Sequence, residues 1–264
     1  MTSYADKTVL VTGASSGIGL ALANSLARRG AHVILTARST DRLNEVAADV
    51  TRHRVTAHVF SGDLSQPGAA QRLHDEVAQA GLTVDLLINN AGYGRWGDFG
   101  EFGRADYGQM IQLNITALTD LCHLFIPGMI ARGSGGVINV GSTASFVPVP
   151  YAAVYSASKA YVLLLSDALR FEYATQGVSI MTLCPGATDS NFKTVAAANL
   201  KTGSGAAGDS AESVAEEGLD AYLQGKSYVV TGQGNKKFTW LPRLLSRERV
   251  LNMVGQNFGK RIGK

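Results

Sequence analysis

Residues 8–30 read as strand, glycine-rich turn and helix, and no other stretch of the chain restricts its fold as much. Thr8–Val11 (TVLV) is a short β-branched apolar run of the kind that forms a buried strand. It leads through Thr12-Gly-Ala-Ser-Ser-Gly-Ile-Gly19 into LALANSLARRG, a helical pattern that ends at Gly30. Glycines at 13, 17 and 19 permit a tight turn, close approach of a pyrophosphate to the backbone and close packing of helix on strand. The N–H groups at the start of the helix and its partial positive charge then favour an anion. The spacing is G-x-x-x-G-x-G, not the G-x-G-x-x-G of the common fingerprint, so the flanking strand and helix carry the reading.

The same unit repeats along the chain. AHVILTAR forms a second strand that reaches Arg38, nineteen residues after Gly19. In such a sheet this position faces the adenosine ribose, where an acid would hold the 2′-hydroxyl of NAD. A guanidinium suits a 2′-phosphate, so the expected cofactor is NADP. Val55–Phe60 (VTAHVF) reads as a third strand, followed by Asp63 and Leu64. Asp63 either accepts from the adenine amino group or caps the helix after Ser65. Val84–Ile88 is a fourth strand ending in Asn89, Asn90, Ala91 and Gly92, whose small residues and amides suit a ribose or nicotinamide. An asparagine network that stabilises the strands is the other reading.

A glycine-rich aromatic loop at 93–104 puts Tyr93 and Trp96 at a substrate mouth or in packing, and a helix follows over roughly 105–131. It contains Asn114, an unfavourable residue inside a helix. Val137–Val140, Val178–Leu183 and Tyr228–Thr231 complete the strands. Alternating strands and helices predict an α/β fold: a Rossmann-type, doubly wound parallel sheet of about seven strands with helices on both faces. No linker or repeat divides it, so one domain is expected over 1–264. Residues 186–211 read as a flap over the site.

The stretch Ser142–Lys159 (STASFVPVPYAAVYSASK) carries the chemistry. Ser142 follows the fifth strand, at the ligand edge of an open parallel sheet. Tyr155 and Lys159 are four residues apart, hence one turn apart on a helix face. A lysine cation there favours the phenolate and tunes a tyrosine for proton transfer. Ser142 can hydrogen-bond a carbonyl or alcohol oxygen. Tyr93, Trp96, Phe146, Val149 and Tyr151 suggest an apolar substrate pocket.

Composition bounds the alternatives. Of the 264 residues 45% are hydrophobic and 17% charged, which excludes a disordered chain. The two cysteines, Cys122 and Cys184, sit among apolar neighbours and read as buried thiols, not as a disulfide or metal site. The opening residues resemble no signal peptide, and no apolar run is expected to span a bilayer, so a cytoplasmic location is expected. Nothing points to nucleic acid as a partner. From 236 to 264 there are eight Lys or Arg and one acid, giving +7; the other 16 bases and 20 acids leave residues 1–235 at −4. This basic extension carries an apolar stripe. It can lie on an anionic membrane surface, but docking on the body or on a second subunit near the site is the preferred reading.

With the loop at 12–19, Asn89-Asn90-Ala91-Gly92, Asn114, Ser142, Tyr155, Lys159 and Pro185-Gly186 in this order, the chain resembles the short-chain dehydrogenase/reductase family over residues 7 to about 232. The resemblance implies NAD(P), a small-molecule carbonyl or alcohol substrate, and a homodimer or homotetramer. It makes Tyr155 the general acid/base and Lys159 the residue that lowers its pKa and holds the nicotinamide ribose. Ser142 would orient the substrate oxygen, and the Asn114 backbone would join Lys159 through a water. Gly13, Ser15, Ser16, Ile18, Arg38, Asp63, Asn90 and Thr188 match cofactor-contacting positions. Gly17, Gly19, Leu64, Ala91, Gly92, Pro185 and Gly186 fall within the same stretches. The expected activity is NADPH-dependent interconversion of a carbonyl and a secondary alcohol. The alternative is a non-catalytic NADP-binding sensor or scaffold, which the intact Ser142, Tyr155 and Lys159 argue against. A sugar-nucleotide epimerase would need a sizeable C-terminal substrate domain to hold the nucleotide, and none is expected from these residues.

Overall fold

In the computed structural model the described residues are 1–189 and 208–262. Seven strands form one sheet: β1 (Thr8–Thr12), β2 (His32–Thr36), β3 (Ala57–Val59), β4 (Leu86–Asn89), β5 (Gly135–Val140), β6 (Val178–Cys184) and β9 (Tyr228–Val230). Their order is β3-β2-β1-β4-β5-β6-β9 and every neighbouring pair is parallel. Two short strands, β7 (Thr188–Asp189) and β8 (Asp209–Ser210), pair separately. They flank the expected flap, and residues 190–207 of that segment lie outside the described residues.

Helices cover both faces, as a parallel sheet with apolar residues on each side requires. One layer buries Leu22 and Leu26 of α1 (Gly17–Arg28), Leu43 of α2 (Thr40–Thr51) and Leu219 of α7 (Ala211–Leu223). The other buries Leu73 of α3 (Ala69–Gln79), Leu121 and Phe125 of α5 (Leu118–Ala131) and Val162 of α6 (Ala153–Tyr173). Two further helices, α8 (Lys237–Leu244) and α9 (Arg247–Ile262), follow the last strand.

The helix expected over 105–131 is continuous but not uniform. Between α4 (Arg104–Ile111) and α5 lies a π turn, Gln112–Ala117, with Asn114 inside it. Such turns recur at functional sites. The run Arg104–Ala131 is, against expectation, long and apolar enough by composition to cross a membrane. Its apolar side chains instead pack on the sheet: Leu118, Leu121, Ile126 and Met129 are buried. Cys122 and Cys184 are both free and buried.

Candidate active site

The C-terminal ends of β1, β2, β4, β5 and β6 open into one cleft of about 1650 Å³. This is the edge at which open parallel sheets bind ligands. At its floor the glycine loop turns with Gly13 and Gly17 in the left-handed region, φ 66° and 55°. Ser16 precedes α1 in an extended conformation and its side chain makes no capping bond. Gly13, Ser15, Ser16, Gly17 and Ile18 line the cleft. Gly19 is not part of the lining; a Cβ there would stand 2.2 Å from the Gly13 carbonyl oxygen, so this glycine lets the helix pack under the loop. Asn90 ties β4 to the same loop, its Nδ2 donating to the Thr12 carbonyl at 2.8 Å. The Thr12 hydroxyl accepts from the N–H groups of Asn90 and Ala91, both at 2.9 Å.

Arg38 is exposed on the rim beyond β2 and has no ion-pair partner among the described residues. Asp63 accepts from the Ser65 hydroxyl at 2.7 Å, the Ser65 N–H at 3.0 Å and the Gln66 amide at 3.4 Å. Asp63 therefore does not cap a helix, since α3 begins at Ala69 with Gly68 as its N-cap; it closes the turn at Leu64–Gln66 instead. Burial works to raise its pKa, but the bonds from Ser65 and Gln66 and the charge of Arg38 together hold it below its ordinary value. Leu64, Asn90, Ala91, Gly92, Pro185, Gly186 and Thr188 all line the cleft. Asn89 turns the other way, into the core, where its Nδ2 donates to Asn139 Oδ1 at 2.9 Å. The strand-stabilising network thus holds for Asn89, while Asn90 faces the cleft and braces the glycine loop.

Ser142, Tyr155 and Lys159 converge on this cleft. Ser142 is extended at the end of β5; its Oγ accepts from the Ala144 N–H at 3.1 Å and is hydrogen-bonded with the Tyr155 phenol. Tyr155 is the third residue of α6. Lys159, one turn later, donates from Nζ to the Val140 carbonyl at 2.8 Å, 5.9 Å from the centre of the Tyr155 ring. Burial pushes the phenol up to about 12, against the hydrogen bond with Ser142. Burial likewise pushes Lys159 down, to about 8. The expected lowering of the tyrosine by the lysine does not occur here: the ammonium is engaged by a backbone carbonyl, and desolvation disfavours the phenolate.

Asn114 lies behind this group, buried, and does not line the cleft. Its Oδ1 accepts from the Tyr93 N–H at 3.1 Å; its Nδ2 donates to the Tyr93 carbonyl at 2.9 Å and to Ser158 Oγ at 3.1 Å. The side chain is therefore fully engaged, pinning the strand-to-loop turn at Gly92–Tyr93 against α6.

Of the expected substrate residues, Tyr93, Trp96 and Val149 line the cleft. Two do not. Phe146 packs on Tyr228, ring centres 5.6 Å apart, because the short helical turn after Ser142 points it toward the last strand. Tyr151 adopts φ 66°, a strained turn for a bulky residue, and its carbonyl accepts from Gly97 at 2.9 Å, outside the cleft. The wall that the motifs did not reveal comes from the basic extension: Phe238 and Leu241 of α8, and Val254 and Phe258 of α9. The apolar stripe in that segment was the available signal.

Known proteins resemble the chain in this arrangement. The profile of the short chain dehydrogenase family matches residues 7–201. The ketoacyl reductase HetN of Nostoc sp. is 34% identical over 195 residues, 74% of this chain and 68% of its own length. The probable oxidoreductase EphD of Mycobacterium bovis is 31% identical over 190 residues, 72% of this chain but only 32% of its own length. A short-chain dehydrogenase from Sphingobium yanoikuyae, solved in complex with NADPH, superposes with a TM-score of 0.79 at 30% identity, covering 85% of this chain and 87% of that one. The matched residues span the strands and loops that form the cleft floor, and on that ground the chain belongs to the short-chain dehydrogenase family of oxidoreductases, which work between alcohols and carbonyls.

Proposed function

We propose that the protein reduces an apolar carbonyl compound to a secondary alcohol and catalyses the reverse, with NADPH as its preferred nucleotide. A bound nicotinamide nucleotide supplies the hydride in one direction and takes it in the other. The glycine loop fits such a group: two left-handed glycines and an uncapped Ser16 leave backbone N–H groups free for a pyrophosphate. Arg38 would hold the 2′-phosphate, Asp63 and Leu64 the adenine side, Asn90, Ala91, Gly92 and Lys159 the ribose, and Pro185, Gly186 and Thr188 the nicotinamide end.

The observation that carries the reading is the convergence of Ser142, Tyr155 and Lys159 in a cleft continuous with the glycine loop. Burial keeps Tyr155 protonated at neutral pH, so it can give its proton to a carbonyl oxygen as that oxygen gains charge. Ser142 Oγ orients the same oxygen. Lys159 carries positive charge beside the phenolate that results and favours its formation. Asn114 fixes the turn that faces Lys159; a Cβ on Gly92 would lie 3.0 Å from its Oδ1 and 3.4 Å from Lys159 Nζ.

Apolar walls from Val147, Val149, Trp96 and the tail favour a bulky, hydrophobic carbonyl. A cytoplasmic location and a homodimer or homotetramer complete the proposal. A panel of ketones of graded size tests it, incubated with NADPH or NADH. Turnover of bulky ketones with NADPH supports the reading, and absence of any nucleotide oxidation across the panel would exclude it.

A further inference from the structure

The two C-terminal helices have an inner and an outer face, and only the inner one is accounted for. Phe238 and Leu241 face inward from α8, Leu245 from just beyond its end, and Val250, Val254 and Phe258 from α9, joining a cluster with Val147, Val149 and Tyr155. The outer face of α8 exposes apolar side chains among cations. Trp240 is 56% exposed and Leu244, one turn on, 76% exposed. The Arg243 guanidinium lies 5.4 Å over the Trp240 ring. Around them Lys236, Lys237, Arg243, Arg247, Arg249 and Lys260 are all exposed, with Glu248 the one acid of the extension. On α9, Leu251 and Met253 are exposed as well.

We infer that this outer face is a docking surface for an anionic lipid bilayer, with Trp240 and Leu244 entering the headgroup region and the basic residues facing the phosphates. The chemistry is that of an interfacial helix: apolar anchors, one of them an amphipathic tryptophan, set among cations. Charge complementarity favours a lipid surface over a second copy's apolar face, because Glu248 is the one acid among these cations and none of them forms an ion pair among the described residues. A helix that only covered the cleft would gain nothing from exposing a tryptophan and a leucine. Met253 and Lys237 border both this surface and the cleft, so the substrate mouth opens next to it. The inference concerns binding alone and does not depend on the chemistry assigned to Tyr155.

The test uses the full chain with vesicles of phosphatidylcholine alone and vesicles with phosphatidylglycerol added. The expected result is co-sedimentation with the anionic vesicles at least tenfold tighter than with the neutral ones, weakened by rising salt. Only two tryptophans are present, so the emission should shift to the blue on binding, and Trp240→Phe should remove that shift. Trp240→Ser with Leu244→Ser, and separately Arg243→Glu with Arg247→Glu, should each lower partitioning at least tenfold. None of these four side chains lines the cleft, so turnover of a water-soluble ketone should stay within twofold. Absence of wild-type binding to the anionic vesicles overturns the inference, as does equal binding to both kinds. A dimer that dissociates in the Trp240→Ser, Leu244→Ser variant, with no vesicle binding by either protein, would assign the surface to a second copy instead.

Discussion

Trp96 lies flat against Phe258, ring centres 5.3 Å apart and planes within 7°, while its other neighbour, Tyr155, is 5.7 Å away. A residue near the end of the last helix thus reaches the candidate proton donor through one indole. Stacked aromatic pairs contribute about 0.5–1.5 kcal/mol beyond the area they bury. Phe258→Ala should therefore raise KM for bulky ketones by about three- to tenfold. The kcat for a small ketone should change little. Equal losses on both substrates would mean that the stack supports the fold and not the substrate wall.

Tyr155→Phe removes the proton and keeps the ring. Positioned proton transfer contributes roughly 10²–10⁴-fold, so turnover should fall by that factor while the dissociation constant for NADPH, followed by its fluorescence, moves less than about threefold. Near wild-type turnover in this variant would take the proton role away from Tyr155.

Lys159 gives the activity a pH limit. Its pKa is pushed down to about 8, so it is charged below that value and neutral above. Tyr155, pushed up to about 12, stays protonated across the range. Ketone reduction, followed as kcat/KM, should be level near neutrality and fall as pH rises through about 8. Lys159→Arg, whose guanidinium does not titrate there, should lower the rate and abolish the break. A profile that keeps its break in the arginine variant assigns it to another group.

Arg38→Asp distinguishes the two nucleotides. A charge-assisted bond to a phosphate contributes about 1.5–3 kcal/mol, so NADPH affinity should drop by at least about tenfold. NADH should lose little or gain, since an acid there can accept from a 2′-hydroxyl. Parallel losses for both would remove the 2′-phosphate from Arg38.

Acid stability should depend on Glu216. Burial opposes its charge, yet hydrogen bonds from Ser25, Arg29 and Arg28 hold its pKa down at about 2, against 4.5 for a free glutamate. A carboxyl lowered on folding stabilises the protein fully above pH 4.5, and that contribution fades as pH falls toward 2. The group is partly exposed, so solvent screens much of the effect. Glu216→Gln should lower Tm by about 2–4 °C at neutral pH and flatten the dependence of Tm on pH below 4.5.

The floor of the site was legible in the sequence because its chemistry is local. Glycines bounded by a strand and a helix, and a tyrosine four residues before a lysine, occupy fixed relative positions once those elements form. Tyr151 and Phe146 were misread because apolar character says nothing about direction; a left-handed turn at one and the last strand beside the other decided it. The apolar stripe that includes Phe258 reads as docking near the site, but its partner Trp96 could not be named because 162 positions separate the two in sequence. The pKa of Tyr155 went the other way from expectation because spacing reveals a neighbouring charge but not the burial that opposes it.

The outermost strands of the large sheet, β3 and β9, are each three residues long. So brief a row of unsatisfied backbone groups is a poor template for another chain's strand, which protects the folded protein from edge-to-edge aggregation. Copies that associate would have to meet through side chains on helices. Leu164 and Phe171, 70% and 86% exposed on α6, are among the large apolar groups exposed for such a contact.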